Sequence, residues 1–134
     1  ISWSDIDLDG VKYYSGTAAY MKSIEVPEDF VTAESVTLSM GDVREIAKVY
    51  VNGKEAGILW KPPFEMDVKK YLEPGENTLE IHVVNTWTNR LIGDLSLPEE
   101  ERHTWVNCCL PLNSESKLME SGLLGPVMLI AYEK

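Results

Sequence analysis

The sequence predicts an all-β fold, an antiparallel β-sandwich of jelly-roll type. Three observations lead there. Short runs rich in β-branched and aromatic residues recur, with turn signals about every 8–12 residues. Asn52-Gly53 joins two of these runs, and both central residues of a tight type I′ hairpin turn need the positive φ that this dipeptide tolerates. Only one segment carries a convincing helix start.

The elements follow in chain order. Residues 17–26 alternate Ala18, Tyr20, Lys22 and Ile24 with Thr17, Ala19, Met21 and Ser23, as a strand does, and stop at Pro27-Glu28-Asp29. Residues 36–40 form a second short strand ended by Gly41. Residues 43–51 and 54–60 are the arms of the Asn-Gly hairpin, closed at Pro62-Pro63. Asp67 is placed to cap a short helix running to Leu72, with Met66 and Tyr71 as its staple pair and Glu73-Pro74-Gly75 as its stop. Residues 77–85 make a strand with Leu79, Ile81 and Val83 on one face and Glu80, His82 and Val84 on the other. The last strand covers residues 127–132 and is entered through Gly125-Pro126. Between residues 86 and 124 no period holds, and the stretch is rich in Trp, Asn, Pro, Ser and acids. Structureless stretches this long are usually functional or interaction surfaces.

Residues 1–134 read as a single domain without repeats or internal linkers. A chain of this size buries roughly two thirds of its unfolded surface, enough for a core without disulfide or metal staples. Its 12 Lys and Arg stand against 22 Asp and Glu, a formal net charge of -10. Such a balance repels phosphate backbones and anionic lipid, so no nucleic-acid or membrane partner is expected. No apolar run reaches the roughly 18 residues that a membrane-crossing helix needs. The chain starts at Ile1 without the succession of a signal peptide, and we expect it to be an excised piece of a longer protein. Cys108 and Cys109 are adjacent, a spacing that rarely satisfies disulfide geometry, and they read as two free thiols.

Catalytic and metal constellations are thin. His82 and His103 lack the spacing of a zinc site, Ser121-Gly122 lacks the context of a nucleophile elbow, and no glycine-rich phosphate loop is present. Glu99-Glu100-Glu101 after Pro98 reads as a solvated first helical turn, where acids favour the positive end of the backbone dipole. Asp5, Asp7 and Asp9 alternate as an exposed strand or loop does. They are the one candidate for a structural calcium, although the glycine and terminal Glu of a calcium loop are missing. No catalytic residue, metal ligand or cofactor is therefore assigned.

The densest polar and aromatic cluster is Asn85-Thr86-Trp87-Thr88-Asn89-Arg90, followed by Gly93-Asp94. Sugars are gripped by an aromatic face against their C–H groups and by planar amide, guanidinium and carboxylate groups on neighbouring hydroxyls. Trp87, Asn89, Arg90 and Asp94 supply these parts, with Trp60 and Trp105 as further aromatic candidates. The competing expectation is structural, with Trp87 capping the core and Arg90 ion-paired to Asp94 to stiffen the loop.

Several segments carry a family resemblance. Tyr14-Ser15-Gly16-Thr17-Ala18-Ala19-Tyr20, the run Leu38-Ser39-Met40-Gly41-Asp42-Val43-Arg44-Glu45-Ile46-Ala47, the hairpin Val49-Tyr50-Val51-Asn52-Gly53-Lys54-Glu55-Ala56-Gly57, then Pro63-Phe64-Glu65-Met66-Asp67-Val68 and Pro74-Gly75-Glu76-Asn77-Thr78-Leu79-Glu80-Ile81 closely resemble the sugar-binding jelly-roll domain of family 2 glycoside hydrolases. Asn89-Arg90-Leu91-Ile92-Gly93-Asp94 and Ser121-Gly122-Leu123-Leu124-Gly125-Pro126-Val127 resemble the version found at the C-terminus of large bacterial α-L-rhamnosidase-like hydrolases such as family 106.

The resemblance implies a galactose-binding-like sandwich from the C-terminal end of a multidomain hydrolase, with the parent's catalytic domain as partner and a glycan or oligosaccharide as ligand. It implies a periplasmic or extracellular bacterial location. The acid and base or nucleophile of such enzymes sit in the other domain, and no position here matches that catalytic motif. The alternative it leaves is a packing module with no sugar contact.

Overall fold

The computed structural model describes residues 1–106 and 111–133. Cys108 and Cys109 lie outside the described residues. Nine strands are described: β1 (Thr17–Val26), β2 (Ser35–Ser39), β3 (Asp42–Arg44), β4 (Ile46–Val51), β5 (Lys54–Leu59), β6 (Glu65–Asp67), β7 (Gly75–Val84), β8 (Gly122–Gly125) and β9 (Met128–Tyr132). Three short helices accompany them: α1 (Asp9–Lys12), α2 (Glu28–Thr32) and α3 (Thr88–Leu95).

One layer is a four-stranded sheet in the order β1-β7-β4-β5. The other comprises the sheet β6-β2-β9 and the ribbon β3-β8, and all ladder pairings are antiparallel. The expected antiparallel sandwich is thus the observed one. Its core comes from the predicted alternation: Leu79, Ile81 and Val83 of β7 and Ala47, Val49 and Val51 of β4 point inward, facing Val36 and Leu38 of β2 and Met40, Val43 and Phe64. Burying these side chains supplies the main favourable term of folding, at about 25 cal/mol per Å² of apolar surface.

The hairpin β4-β5 turns at Asn52 (φ 50°) and Gly53 (φ 77°), as expected. Asn52 does more than turn: its amide donates to Tyr71 O (3.0 Å) and Asn77 Oδ1 (2.8 Å), while its carbonyl accepts from Thr78 N (2.9 Å). One end of the sandwich is tied together through that side chain.

Four expectations about elements need correction. The run 43–51 is two strands in different sheets: Val43 pairs with Leu123, whereas Ile46 pairs with Val84. The alternation lapses at the switch, where Glu45 stands between buried Val43 and Ala47 and Ile46 is exposed. The helix expected from Asp67 shrinks to one 3-10 turn, Lys69–Tyr71. Asp67 does cap, accepting from Lys69 N at 2.9 Å, but residues 65–67 are taken by β6 and the Tyr71 carbonyl by Asn52. Asp5 and Asp9 lie in helical turns, Trp3–Asp5 and α1, and not in an alternating segment. Finally, the stretch 86–124 contains α3, a 3-10 turn at Glu99–Glu101 and β8. That 3-10 turn is the helical first turn foreseen after Pro98.

Candidate functional site

α3 organises the stretch in which candidate site residues cluster. Its apolar residues Leu91, Ile92 and Leu95 fall on one side, yet Thr88, Asn89 and Gly93 are poor helix formers, so propensity alone does not build it. Tertiary bonds do. Asn89 is 1% exposed and donates to Met119 O (2.7 Å) and Ser121 Oγ (3.2 Å), while its Oδ1 accepts from Met119 N (2.8 Å). Gly93 lets Tyr13 lie flat on the helix: a Cβ there would stand 2.6 Å from Tyr13 Cγ. The Arg90 guanidinium centre sits 5.8 Å from the centroid of that same ring.

Asp94 is the anchor of the following segment. It is 2% exposed, and its Oδ2 accepts from Thr104 N (2.7 Å) and from the Thr104 hydroxyl. Its Oδ1 lies 2.9 Å from Arg90 Nη2 and 3.5 Å from His103 Nδ1, close enough for ion pairing but without the alignment of a hydrogen bond. Arg102 Nε closes the C-terminal end of α3 by donating to Asp94 O (3.0 Å) and Leu97 O (3.1 Å). Burial pushes the Asp94 carboxyl up. The Thr104 hydroxyl, the backbone amides of His103 and Thr104 and the Arg90 charge outweigh it and hold the group below the usual carboxylate range.

A depressed carboxylate stabilises the fold above the unfolded value of about 3.9, and that contribution is lost as pH falls from there toward the native value. Thermal melts between pH 6 and pH 3 should therefore show the native chain losing stability over the acid limb, and Asp94→Asn showing a flatter limb. Parallel limbs would rule out this role for Asp94.

The anchored segment presents Trp105, which is fully exposed. Beside it Glu99, Arg102, Thr104 and Val106 line a cleft of about 420 Å³, within the roughly 300–1,000 Å³ of small-ligand sites. A smaller pocket of about 110 Å³ continues inward to Leu91, Leu95 and Asp94. Neither terminal nitrogen of Arg102 has a protein partner among the described residues. The cleft thus combines an aromatic face, a guanidinium, a carboxylate and a hydroxyl over an apolar floor.

The sequence-derived candidates divide accordingly. Trp105 lines the cleft, whereas Asp94 lines the smaller pocket and supports the cleft only through Thr104. Arg90 is ion-paired to Asp94, as the structural expectation had it. Asn89 spends its amide inside the fold. Trp87 does not cap the core: it is 68% exposed at the N-terminal end of α3, about 12 Å along the helix axis from the other end. Trp60, also 68% exposed, stands apart at the end of edge strand β5, with Lys61 Nζ 5.3 Å from its ring centroid. Arg102, Thr104 and Glu99 were not foreseen. The signal was present in Arg102 and Thr104 flanking His103 just before Trp105, but the acidic run ahead of them read as solvated surface. Among the described residues no group of three or more His, Cys, Asp or Glu is disposed to hold a metal ion.

Comparison with known proteins agrees with the geometry. Residues 4–118 match the family model described as glycosyl hydrolases family 2, sugar binding domain. A putative beta-glucuronidase of Formosa agariphila is 40% identical over 96% of this chain, which spans 13% of that protein. The solved rhamnosidase of Novosphingobium sp. PP1Y superposes with a TM-score of 0.84 at 39% identity, over 96% of this chain and 12% of that one. A beta-glucuronidase from an uncultured Clostridium sp. gives 0.67 at 25% identity, over 99% of this chain and 22% of its own. Both halves of the sequence resemblance, to family 2 and to the rhamnosidase-like hydrolases, are met, and the chain belongs to the sugar binding domain of glycosyl hydrolases family 2.

Proposed function

We propose that this chain is the non-catalytic, carbohydrate-associated domain of a larger glycoside hydrolase, and that it adds a sugar contact at the Trp105 cleft to its role in supporting the catalytic domain. The observation that carries the reading is a fully exposed tryptophan on a segment fastened from below by buried Asp94 and by Arg102. A large apolar ring left in water next to a tied-down Thr104 is arranged for a partner, and the neighbouring Arg102, Thr104 and Glu99 suit hydroxyls. The cleft is open, so millimolar affinity is expected.

Titration of the chain with rhamnose, galactose and glucuronic acid, followed by tryptophan fluorescence and calorimetry, tests the reading. Trp105→Ala should weaken binding about tenfold, the equivalent of about 1.4 kcal/mol, without moving the melting temperature. Absence of any response to millimolar sugar, or equal affinity in the variant, would remove the sugar contact.

A pure packing module is the second reading, favoured by Ile58 and Trp60, which are exposed together at the β5 edge. It predicts a higher melting temperature for this domain inside the parent protein and no dependence on sugar.

A further inference from the structure

We infer that the outer edge of β1 is a docking site for an extended strand supplied by another part of the parent polypeptide, one carrying alternate apolar side chains and an acidic residue. The inference rests on the reading of the chain as one domain of a longer hydrolase. β1 is ten residues long, has no proline, glycine or bulge, and ends its sheet with β7 as its only neighbour among the described residues. Beyond the Thr17 carbonyl, which accepts from Tyr14 Oη at 2.8 Å, no backbone bond to its free side is found among the described residues. An open row of N–H and C=O groups this long is complementary to another strand and to little else.

The surface beneath the edge defines that strand's side chains. A cleft of about 250 Å³ runs along it, lined by Tyr20, Met21 and Lys22 of β1, Leu79 and Ile81 of β7, and Leu123. Leu79 and Ile81 form the buried floor at 9% and 2% exposed, and the part of the lining open to solvent comes from Met21 and from Val127, 40% exposed. Lys22 lies opposite buried Leu79 in the register, on the inward side of β1, yet is exposed and has no carboxylate within ion-pair distance among the described residues. An incoming strand therefore fits with apolar residues over the cleft and a carboxylate on the Lys22 ammonium. A second copy of this chain is disfavoured by its formal net charge of -10, which two copies would set face to face. The chain is 13% of the Formosa protein's length, so a strand from elsewhere in such a polypeptide is the available occupant.

Residue-resolved hydrogen exchange on the full-length parent tests this. The β1 amides that donate to β7 serve as internal reference, and the alternate amides report the free edge. With a strand in place the alternate set should be protected about 100-fold or more over open-edge exchange. Lys22→Glu should speed that set about tenfold while leaving the reference set slow, and Lys22→Arg, which keeps the charge, should leave both unchanged. Alternate amides exchanging at the unprotected rate in the native parent would overturn the proposal, as would protection that grows with protein concentration, which assigns the edge to a second copy. Indifference to Lys22→Glu would overturn the acidic partner. Glycoside hydrolysis is assayed on the same sample: an open edge with hydrolysis intact counts against the docked strand alone, and no hydrolysis counts against the reading of the parent.

Discussion

Asn89→Ala should lower the stability of the domain by about 3 kcal/mol, and so its melting temperature by about 10 °C. Asn89 looks from sequence like a sugar ligand, but its side chain is sealed at 1% exposure and joins α3 to the 119–121 segment through three hydrogen bonds of 2.7–3.2 Å. Truncation strips part-buried Met119 N–H of its partner and removes a donor from the buried Ser121 Oγ, and a buried group that loses a partner costs more than the mean hydrogen bond is worth. The same hub reaches further: Asn85 Nδ2 donates to Ser121 Oγ (3.2 Å) and to Tyr14 O (2.7 Å), and Ser2 Oγ accepts from Ser121 N (2.9 Å). Calorimetric melts of the variant decide the matter. A melting temperature within about 2 °C of the native chain would show that the network carries little of the fold.

Gly41→Ala should be comparably damaging, at about 4 kcal/mol. Gly41 has φ +64°, and a Cβ placed on it would stand 2.4 Å from the carbonyl carbon and oxygen of Gly125. The obstacle is backbone, which cannot swing aside as a side chain can, so overpacking strain adds to the roughly 1 kcal/mol of a left-handed non-glycine residue. This contact is where the end of β2 meets the end of β8, through the Gly41–Gly125 bridge. Gly53→Ala is the control. Its φ is +77° but nothing lies within 4 Å of the added Cβ, so only the conformational cost of about 1 kcal/mol applies. Urea unfolding of the two variants should differ by about 3 kcal/mol; equal values would mean that the Gly41–Gly125 approach is not tight in solution.

The elements legible in the sequence are those in which local chemistry and the final packing ask for the same thing. β1, β7 and the β4-β5 hairpin each have an unbroken alternation or an Asn-Gly turn, and each appears where that pattern puts it. α3 was not legible because its stabilisation is remote: Asn89 and Gly93 weaken a helix locally and hold this one only through Met119 and Tyr13. β8 was hidden in the same way, since it is four residues long with a glycine at each end, and Gly122 is there because a Cβ would stand 2.5 Å from Trp3 Nε1. The candidate site was half legible. Residue type drew attention to Asp94 and Trp105, but nothing in their spacing shows that the carboxylate faces inward to tie down Thr104 while the indole faces out.

Period, turn chemistry and charge balance were sufficient by themselves to determine an acidic antiparallel sandwich with a given set of inward-facing residues, because each depends on neighbours within a few positions. Which polar side chains are spent inside the fold and which are left for a ligand was decided only by the tertiary structure. That choice depends on partners such as Met119, Ser121 and Tyr13, which folding brings across tens of residues to within hydrogen-bonding or stacking distance.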